Sequence, residues 1–281
     1  MTEPVEYLRQ GDPEGALASL QSLVRAEPAD AKHRIFLFQL LCVLGQWERA
    51  LTQLNVAGEL DPGALGMVQV YREALRIEAL RADVFAGKRS PLVFGEPEQW
   101  VAMLLEALRL GAEGEYAQSQ ALREQAFERA PAVPGQVDGR PFEWIADADP
   151  RLGPTIEAIV NARYYWIPLH RIAQMRIEKP VDLRDLVWMP VEFEWTNGGH
   201  AVGLIPTRYP GSEVASDPLL KLARKTEWTE LGAGLSVGLG QRLLATDGED
   251  YPLMEIQHVV LGAAAAGDVA PEGDDAAGSD S

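Results

Sequence analysis

Short stretches of the N-terminal half repeat one another, and that repetition limits the fold more than any other feature of the chain. Gly11, Ala16 and Pro28 stand 34 residues before Gly45, Ala50 and Pro62, the spacing of a two-helix unit that stacks on copies of itself. Each position has a physical reason. Gly45 tolerates the turn between antiparallel helices, Ala50 lets the helices approach closely, and Pro62 cannot continue a helix. The pattern predicts one helix from Ala31 to Leu44 and a second from Trp47 to Leu60. An imperfect third copy has Gly114 at the turn, Tyr116 in the aromatic place, Ser119 as the small residue and Pro131 as terminator. Pro62 and Pro131 lie 69 residues apart, roughly two periods, so about one diverged unit is expected between them. Within it, Val68 to Phe85 reads as a long periodic helix.

The period is that of tetratricopeptide (TPR) helix pairs, which present a concave inner face. Ile35, Leu37, Phe38, Leu40, Leu41 and Leu44 surround most of their helix, which is therefore expected to be sandwiched between neighbours. The register turns Lys32, Ile35, Gln39 and Cys42 toward the concavity, with Val101, Leu104 and Leu108 in the third unit. These seven are the candidate partner-binding residues. The alternative is that all are core and that the aromatic face of the second half receives the partner. Cys42 is the sole cysteine, so neither an internal disulfide nor a cysteine metal cluster is available, and its apolar setting reads as buried filler.

Residues 131–141 contain three prolines and two glycines, the composition of a linker or an extended connection. The expected division is a helical-repeat domain over 1–133, a smaller α+β domain over 134–261, and a disordered acidic tail over 262–281, whose alanine, glycine, serine and acids offer little to bury. In the second domain, Asp149-Pro150 predicts a helix start, with the helix running to about Asn161. Arg163 to Ile167 and Trp188 to Trp195 are aromatic and β-branched and read as strands. Thr196-Asn197-Gly198-Gly199 is a hairpin turn, and Ala201 to Pro206 the returning strand. A short helix is expected from Ser216, then a glycine-rich strand from Leu235 to Leu239. Arg242 to Thr246 and Leu253 to Leu261 read as a closing hairpin. The fold class is α+β, with a mainly antiparallel sheet behind TPR-like helices.

The net charge of −17, from 25 basic and 42 acidic residues, repels phosphate backbones and anionic lipid surfaces. Nucleic acid and membrane are therefore poor partners. Met1 to Pro4 lacks the basic and then apolar start of a secretory signal, and no run is apolar enough to span a bilayer, so a cytoplasmic location is expected. Chemistry is sparse. His33, His170, His200 and His258 are scattered, none with metal-ligand spacing, and no metal or cofactor is expected. Asp182 is expected to cap a helical turn, with Asp185 paired to an arginine. Gly232-Ala233-Gly234 and Gly238-Leu239-Gly240 lack a dinucleotide fingerprint. Arg208 to Ser212 offers an arginine beside a turn that can hold an anion, or an arginine stacked on Tyr209 or a tryptophan. An enzyme would have to build its site from Arg208, His200 and Asp185.

Four stretches carry a resemblance: Tyr164-Tyr165-Trp166-Ile167-Pro168, Leu183 to Pro190, Pro206 to Ser212, and Ala223-Arg224-Lys225-Thr226-Glu227-Trp228. In this order behind TPR-like helices, the chain resembles the ImpE/TagJ family of type VI secretion accessory proteins over residues 1–261. The resemblance implies a cytoplasmic, non-enzymatic adaptor. It would bind the N-terminal helix of the small contractile-sheath subunit and influence sheath handling, indirectly involving the disassembly ATPase. A scaffold or chaperone for another secretion component is the alternative. The resemblance assigns no binding residue.

Overall fold

The protein is described by a computed structural model covering residues 3–262. The expected tail, from residue 263 on, lies outside the described residues. Helices α1 (Pro4–Arg9) and α2 (Pro13–Ala26) form a first pair, with α1 short. Helices α3 (Ala31–Val43) and α4 (Trp47–Leu60) form the second, and α6 (Gln99–Ala112) and α7 (Tyr116–Arg129) the last. The turns take the conformation that the spacing demands: Gly11, Gly45 and Gly114 have φ of +80°, +66° and +87°. The small residues are in place, since Ala16, Ala50 and Ser119 are fully buried. Ser119 donates its hydroxyl to the Ala107 carbonyl at 2.6 Å, which ties α7 to α6. Asp12 and Asp30 cap α2 and α3 by accepting backbone N–H bonds from Gly15 and Lys32, at 2.8 and 2.7 Å, as the orphan donors of a helix start require.

Between Pro62 and Pro131 the structure departs from a repeated pair. Helix α5 (Leu65–Phe85) runs alone for 21 residues, and the chain then extends into β1 (Leu92–Val93), which pairs in parallel with a strand of the second half. A sheet edge thus stands where a partner helix would have been.

The strands are β2 (Gly135–Val137), β3 (Arg140–Phe142), β4 (Ile145–Asp147), β5 (Thr155–Val160), β6 (Arg163–Pro168), β7 (Ile172–Ile177), β8 (Trp188–Trp195) and β9 (His200–Pro206). After a four-residue helix α8 (Pro218–Lys221) come β10 (Thr226–Gly232), β11 (Leu235–Gly240), β12 (Leu243–Thr246), β13 (Asp250–Pro252) and β14 (His258–Leu261). Nine form one sheet in the order β1, β6, β5, β9, β8, β7, β14, β2, β3, antiparallel throughout except at β1. The others make a ribbon of β10 and β11 and a small sheet of β13, β12 and β4.

Two expectations are corrected. The helix from Pro150 to Asn161 is a strand: Asp149 caps a single turn, accepting from the backbone N–H of Arg151 at 2.9 Å, Gly153 and Pro154 end it, and the β-branched Thr155, Ile156, Ile159 and Val160 continue extended. The closing hairpin splits, because β12 pairs with β13 while β14 inserts between β7 and β2. The proline-rich stretch takes the extended alternative, with Gly135 to Phe142 paired as the β2–β3 hairpin.

The large sheet has two buried faces. On one, Tyr164, Trp166, Trp188 and Leu204 join a cluster with Phe38, Leu41, Tyr71 and Val84 of the helices, so this core draws on both sides of residue 133. On the other, Ile156, Met175, Met189, Phe193 and Val259 pack with Leu244 and Leu253. Strand β8 shows the alternation: Trp188 points to the helices and Met189 away from them, the period of two that a pleated strand imposes.

Candidate interaction surfaces and the buried ionic seam

The structure separates the seven candidate partner residues into two groups. Lys32, Ile35 and Gln39 line an open depression of about 370 Å³ with Phe36 and with Val181, Asp182 and Leu183 from the loop before β8. Cys42, Val101, Leu104 and Leu108 are in the helical core, between 0 and 5% exposed.

The three residues of the enzymatic alternative do not form one site. His200 is exposed at the start of β9, six residues from Pro206 at its other end, or about 20 Å along an extended strand. Arg208 lies beyond that far end, buried, with its guanidinium donating to the carbonyls of Val43, Cys42 and Lys221. It therefore neither cradles an anion nor stacks on Tyr209, whose ring faces the Arg242 guanidinium at 5.2 Å. Asp182 stands at the N-cap of the single turn Leu183–Leu186, as expected, and Asp185 completes its capping box by accepting backbone N–H bonds from Val181 and Asp182, both at 2.8 Å. The arginine beside it, Arg184, pairs with Asp182 instead, at 2.5 Å, so the expected Asp185–arginine pair is corrected. Glu27, Asp30 and His33 bring ligand atoms within 4.8 Å of one another, but Asp30 is already engaged in capping α3.

Sequence reasoning missed the strongest electrostatic feature, a seam between α5 and the sheet. Glu157 on β5 accepts two bonds from Arg81 and one from the Tyr164 hydroxyl, at 2.7, 2.7 and 2.6 Å, and another from Arg242. Arg242 also pairs with Asp147, which accepts from the Tyr209 hydroxyl at 3.1 Å. Arg81 continues to the Arg208 carbonyl at 2.7 Å, and Glu78 accepts from the Trp188 indole at 2.7 Å. Burial alone would raise the Glu157 pKa, but Arg81 and Arg242 hold it down at about 2. At Asp147 burial prevails over Arg242, and the pKa rises to about 6 with Asp149 and Glu157 as acidic neighbours. The sequence carried a signal: Glu78 and Arg81 share the buried side of α5 with Leu75, Ile77 and Val84, where lone charges are too costly to stand unpaired.

A second missed feature is a groove of about 790 Å³ between the first turns of α5 and strands β8 and β9, lined mainly by apolar side chains that include Met67, Val70, Pro190 and Val202. Val70 and Val202 are 51 and 73% exposed.

Stacked helix pairs joined through a common core to a large, mainly antiparallel sheet define a TPR protein with a sheet-rich C-terminal half. Comparison with known proteins agrees. Residues 7–69 match the tetratricopeptide repeat and residues 139–260 match the family described as ImpE protein. The type VI secretion system accessory component TagJ of Pseudomonas aeruginosa is 52% identical over 254 residues, 90% of this chain and 89% of that protein. The crystal structure of a Vibrio parahaemolyticus protein superposes with a TM-score of 0.82 at 26% identity, covering 92% of this chain and 97% of that one. The chain belongs to the ImpE/TagJ family. Among the described residues, no helix is long and apolar enough to cross a membrane.

Proposed function

We propose that the protein is a non-enzymatic accessory component of a bacterial type VI secretion system, an adaptor that binds the N-terminal helix of the small contractile-sheath subunit. Through that contact it influences sheath assembly or disassembly, with the disassembly ATPase as an indirect partner, in the cytoplasm. The observation that carries this reading is the 52% identity to TagJ over 90% of the chain. The scattered placement of His200, Arg208 and Asp185 supports the non-enzymatic part, because acid–base chemistry requires groups within reach of one bound atom. Helical repeats, in turn, present extended surfaces suited to protein partners.

The test is titration of the full-length protein into a labelled peptide spanning the N-terminal helix of the cognate small sheath subunit, read by fluorescence anisotropy. Saturable one-to-one binding is expected. A folded protein that shows no saturation would sink the sheath-helix reading and favour a scaffold for another secretion component.

A further inference from the structure

The ribbon of β10 and β11 has one bound edge and one open edge. On β11, the backbone N–H groups of Gly238 and Gly240 donate to Asp149 and to the Ser212 hydroxyl, at 2.9 and 2.8 Å, and the Gly240 carbonyl accepts from the Tyr209 N–H. These groups point away from β10. In the register Thr226–Gly240 and Trp228–Gly238, their partners therefore point away from β11, and alternation adds Glu230. Thr226, Trp228 and Glu230 thus direct their backbone donors and acceptors outward, where no strand among the described residues pairs with them.

An unpaired edge is a template for another strand, and chains commonly blunt it with lysine, proline or a covering segment. Residues 226–230 contain neither lysine nor proline, and residues 227–231 are all exposed. Trp228 and Leu231 are 42 and 41% exposed. The edge is also held in shape without a partner. The Tyr209 ring lies 5.7 Å from that of Trp228 and so close over Gly238 that a Cβ there would meet its Cδ2 at 2.3 Å.

Parity and charge decide which strand fits. A second β10, antiparallel about a two-fold axis, must set outward residues opposite outward residues. An axis at Glu227 or Glu230 would oppose two carboxylates directly, which is destabilising. An axis at Thr229 would run the pairing into the bulge between Glu230 and Gly232, and one at Thr226 would leave Glu230 unpaired. An axis at Trp228 avoids all three. It sets Trp228 against Trp228 of the second copy, Thr226 against Glu230 and Glu227 against Thr229, so aromatic meets aromatic and no carboxylate meets another.

We propose that β10 pairs with β10 of a second copy about an axis at Trp228, joining the two ribbons into a four-stranded sheet. This goes beyond the adaptor reading and does not depend on it. The short pairing is too small for a permanent interface, so the dimer is reversible. Two chains of net charge −17 repel each other, so salt strengthens it.

Sedimentation velocity of the full-length protein across the micromolar range, at low and high salt, reads the association. A monomer–dimer equilibrium is expected, tightening about threefold or more at high salt. Glu230→Pro removes only an outward N–H, which an edge strand tolerates, and should weaken the dimer about tenfold or more. Glu230→Gln keeps that N–H and lowers the charge, so it should match or tighten the wild-type dimer. Circular dichroism checks folding. Cys42 is buried, so Trp228→Cys adds an accessible thiol whose Cα the axis brings about 5.5 Å from its copy, within reach of a disulfide. Mild oxidation should link Trp228→Cys and not Val214→Cys, whose site is 78% exposed but outside β10. A wild type that stays monomeric at every concentration and salt overturns the proposal and leaves the edge to an extended segment of another protein. A dimer that Glu230→Pro leaves intact, or oxidation that links Val214→Cys as readily, puts the contact elsewhere and overturns it too.

Discussion

The Arg208 guanidinium donates a hydrogen bond from Nη1 to the carbonyl oxygen of Val43, 2.8 Å away. Val43 is the last residue of α3, where carbonyls have no partner within the helix. Arg208 also reaches the Cys42 carbonyl at 3.3 Å and that of Lys221, which ends α8. A cation from the segment after β9 therefore caps two helices at the ends where their dipoles favour positive charge. Burial is the largest influence on it and brings its pKa down to about 10, against the pull of Glu213 and Glu78.

Replacing this residue tests that role. Arg208→Met keeps much of the volume but leaves the Val43 carbonyl unpaired in the core, while the Cys42 carbonyl keeps the Gly45 N–H at 3.1 Å, so a loss of about 1–3 kcal/mol is expected. Arg208→Lys should recover little of it, because one ammonium cannot reproduce the planar fork. Urea unfolding followed by tryptophan fluorescence reads both, and an unchanged midpoint for Arg208→Met would remove the capping argument.

The seam makes stability depend on pH in two opposing ways. Glu157 titrates near 2 in the folded protein against 4.5 when free. Its contribution is therefore complete above about pH 4.5 and is lost as the pH falls toward 2, amounting to about 3 kcal/mol. Asp147 has its pKa raised from 3.8 to about 6, so the folded protein holds a proton that the unfolded chain releases. Its contribution falls as pH rises between those values. Glu157→Gln should thus be destabilised at pH 7, by about 3 kcal/mol, because Arg81 and Arg242 lose their shared carboxylate and keep only Glu78 and Asp147 respectively, and should show a flatter acid limb. Denaturant titrations from pH 3 to 8 would read the two slopes, and a variant with the wild-type acid limb would contradict the assignment.

The helical half was legible because its period is local. Glycine at the turn, alanine or serine at the close approach and proline at the end each act within one unit, and Gly45, Ala50 and Ser119 do what their spacing implies. The strands were legible where alternation and a hairpin turn coincide, as at Trp188 to Pro206. Thr155 to Val160 was missed because Asp149-Pro150 is a sound helix start, and only Gly153-Pro154 and the β-branched residues after it argue otherwise. Partner contacts across the chain were the least legible. Helical spacing puts Leu104 and Ile35 in comparable positions, but whether such a face meets solvent, a loop or the sheet is decided by elements many residues away. The groove at Val202 exists because β5 turns off at Asn161, and no local pattern records that.

The turn of the second repeat is fitted to the second half of the chain. Gly45 has φ of +66°, and a Cβ there would lie 2.6 Å from Cγ of Glu213. Gly114, at the equivalent turn of the last pair, has φ of +87° with nothing within 4 Å of such a Cβ. Both alanine variants incur backbone strain of about 1 kcal/mol, but Gly45→Ala must also displace Glu213. Gly45→Ala is therefore expected to lower the melting temperature more than Gly114→Ala. Equal shifts would mean that Glu213 yields without cost.

Residues that share a concave register in sequence differ sharply in what substitution should do. Leu104 is fully buried in the apolar cluster of the helices, so Leu104→Asp places a carboxylate among apolar side chains and should cost at least about 4 kcal/mol. Its loss of partner binding would then report unfolding rather than contact. Lys32 is exposed at the rim of the depression near Asp182, so Lys32→Glu should change stability by no more than about 0.5 kcal/mol. Thermal melts of the two variants decide the matter. A cooperative, wild-type melt for Leu104→Asp would show that α6 can turn this face outward, and would restore Val101, Leu104 and Leu108 as surface on which a partner can dock.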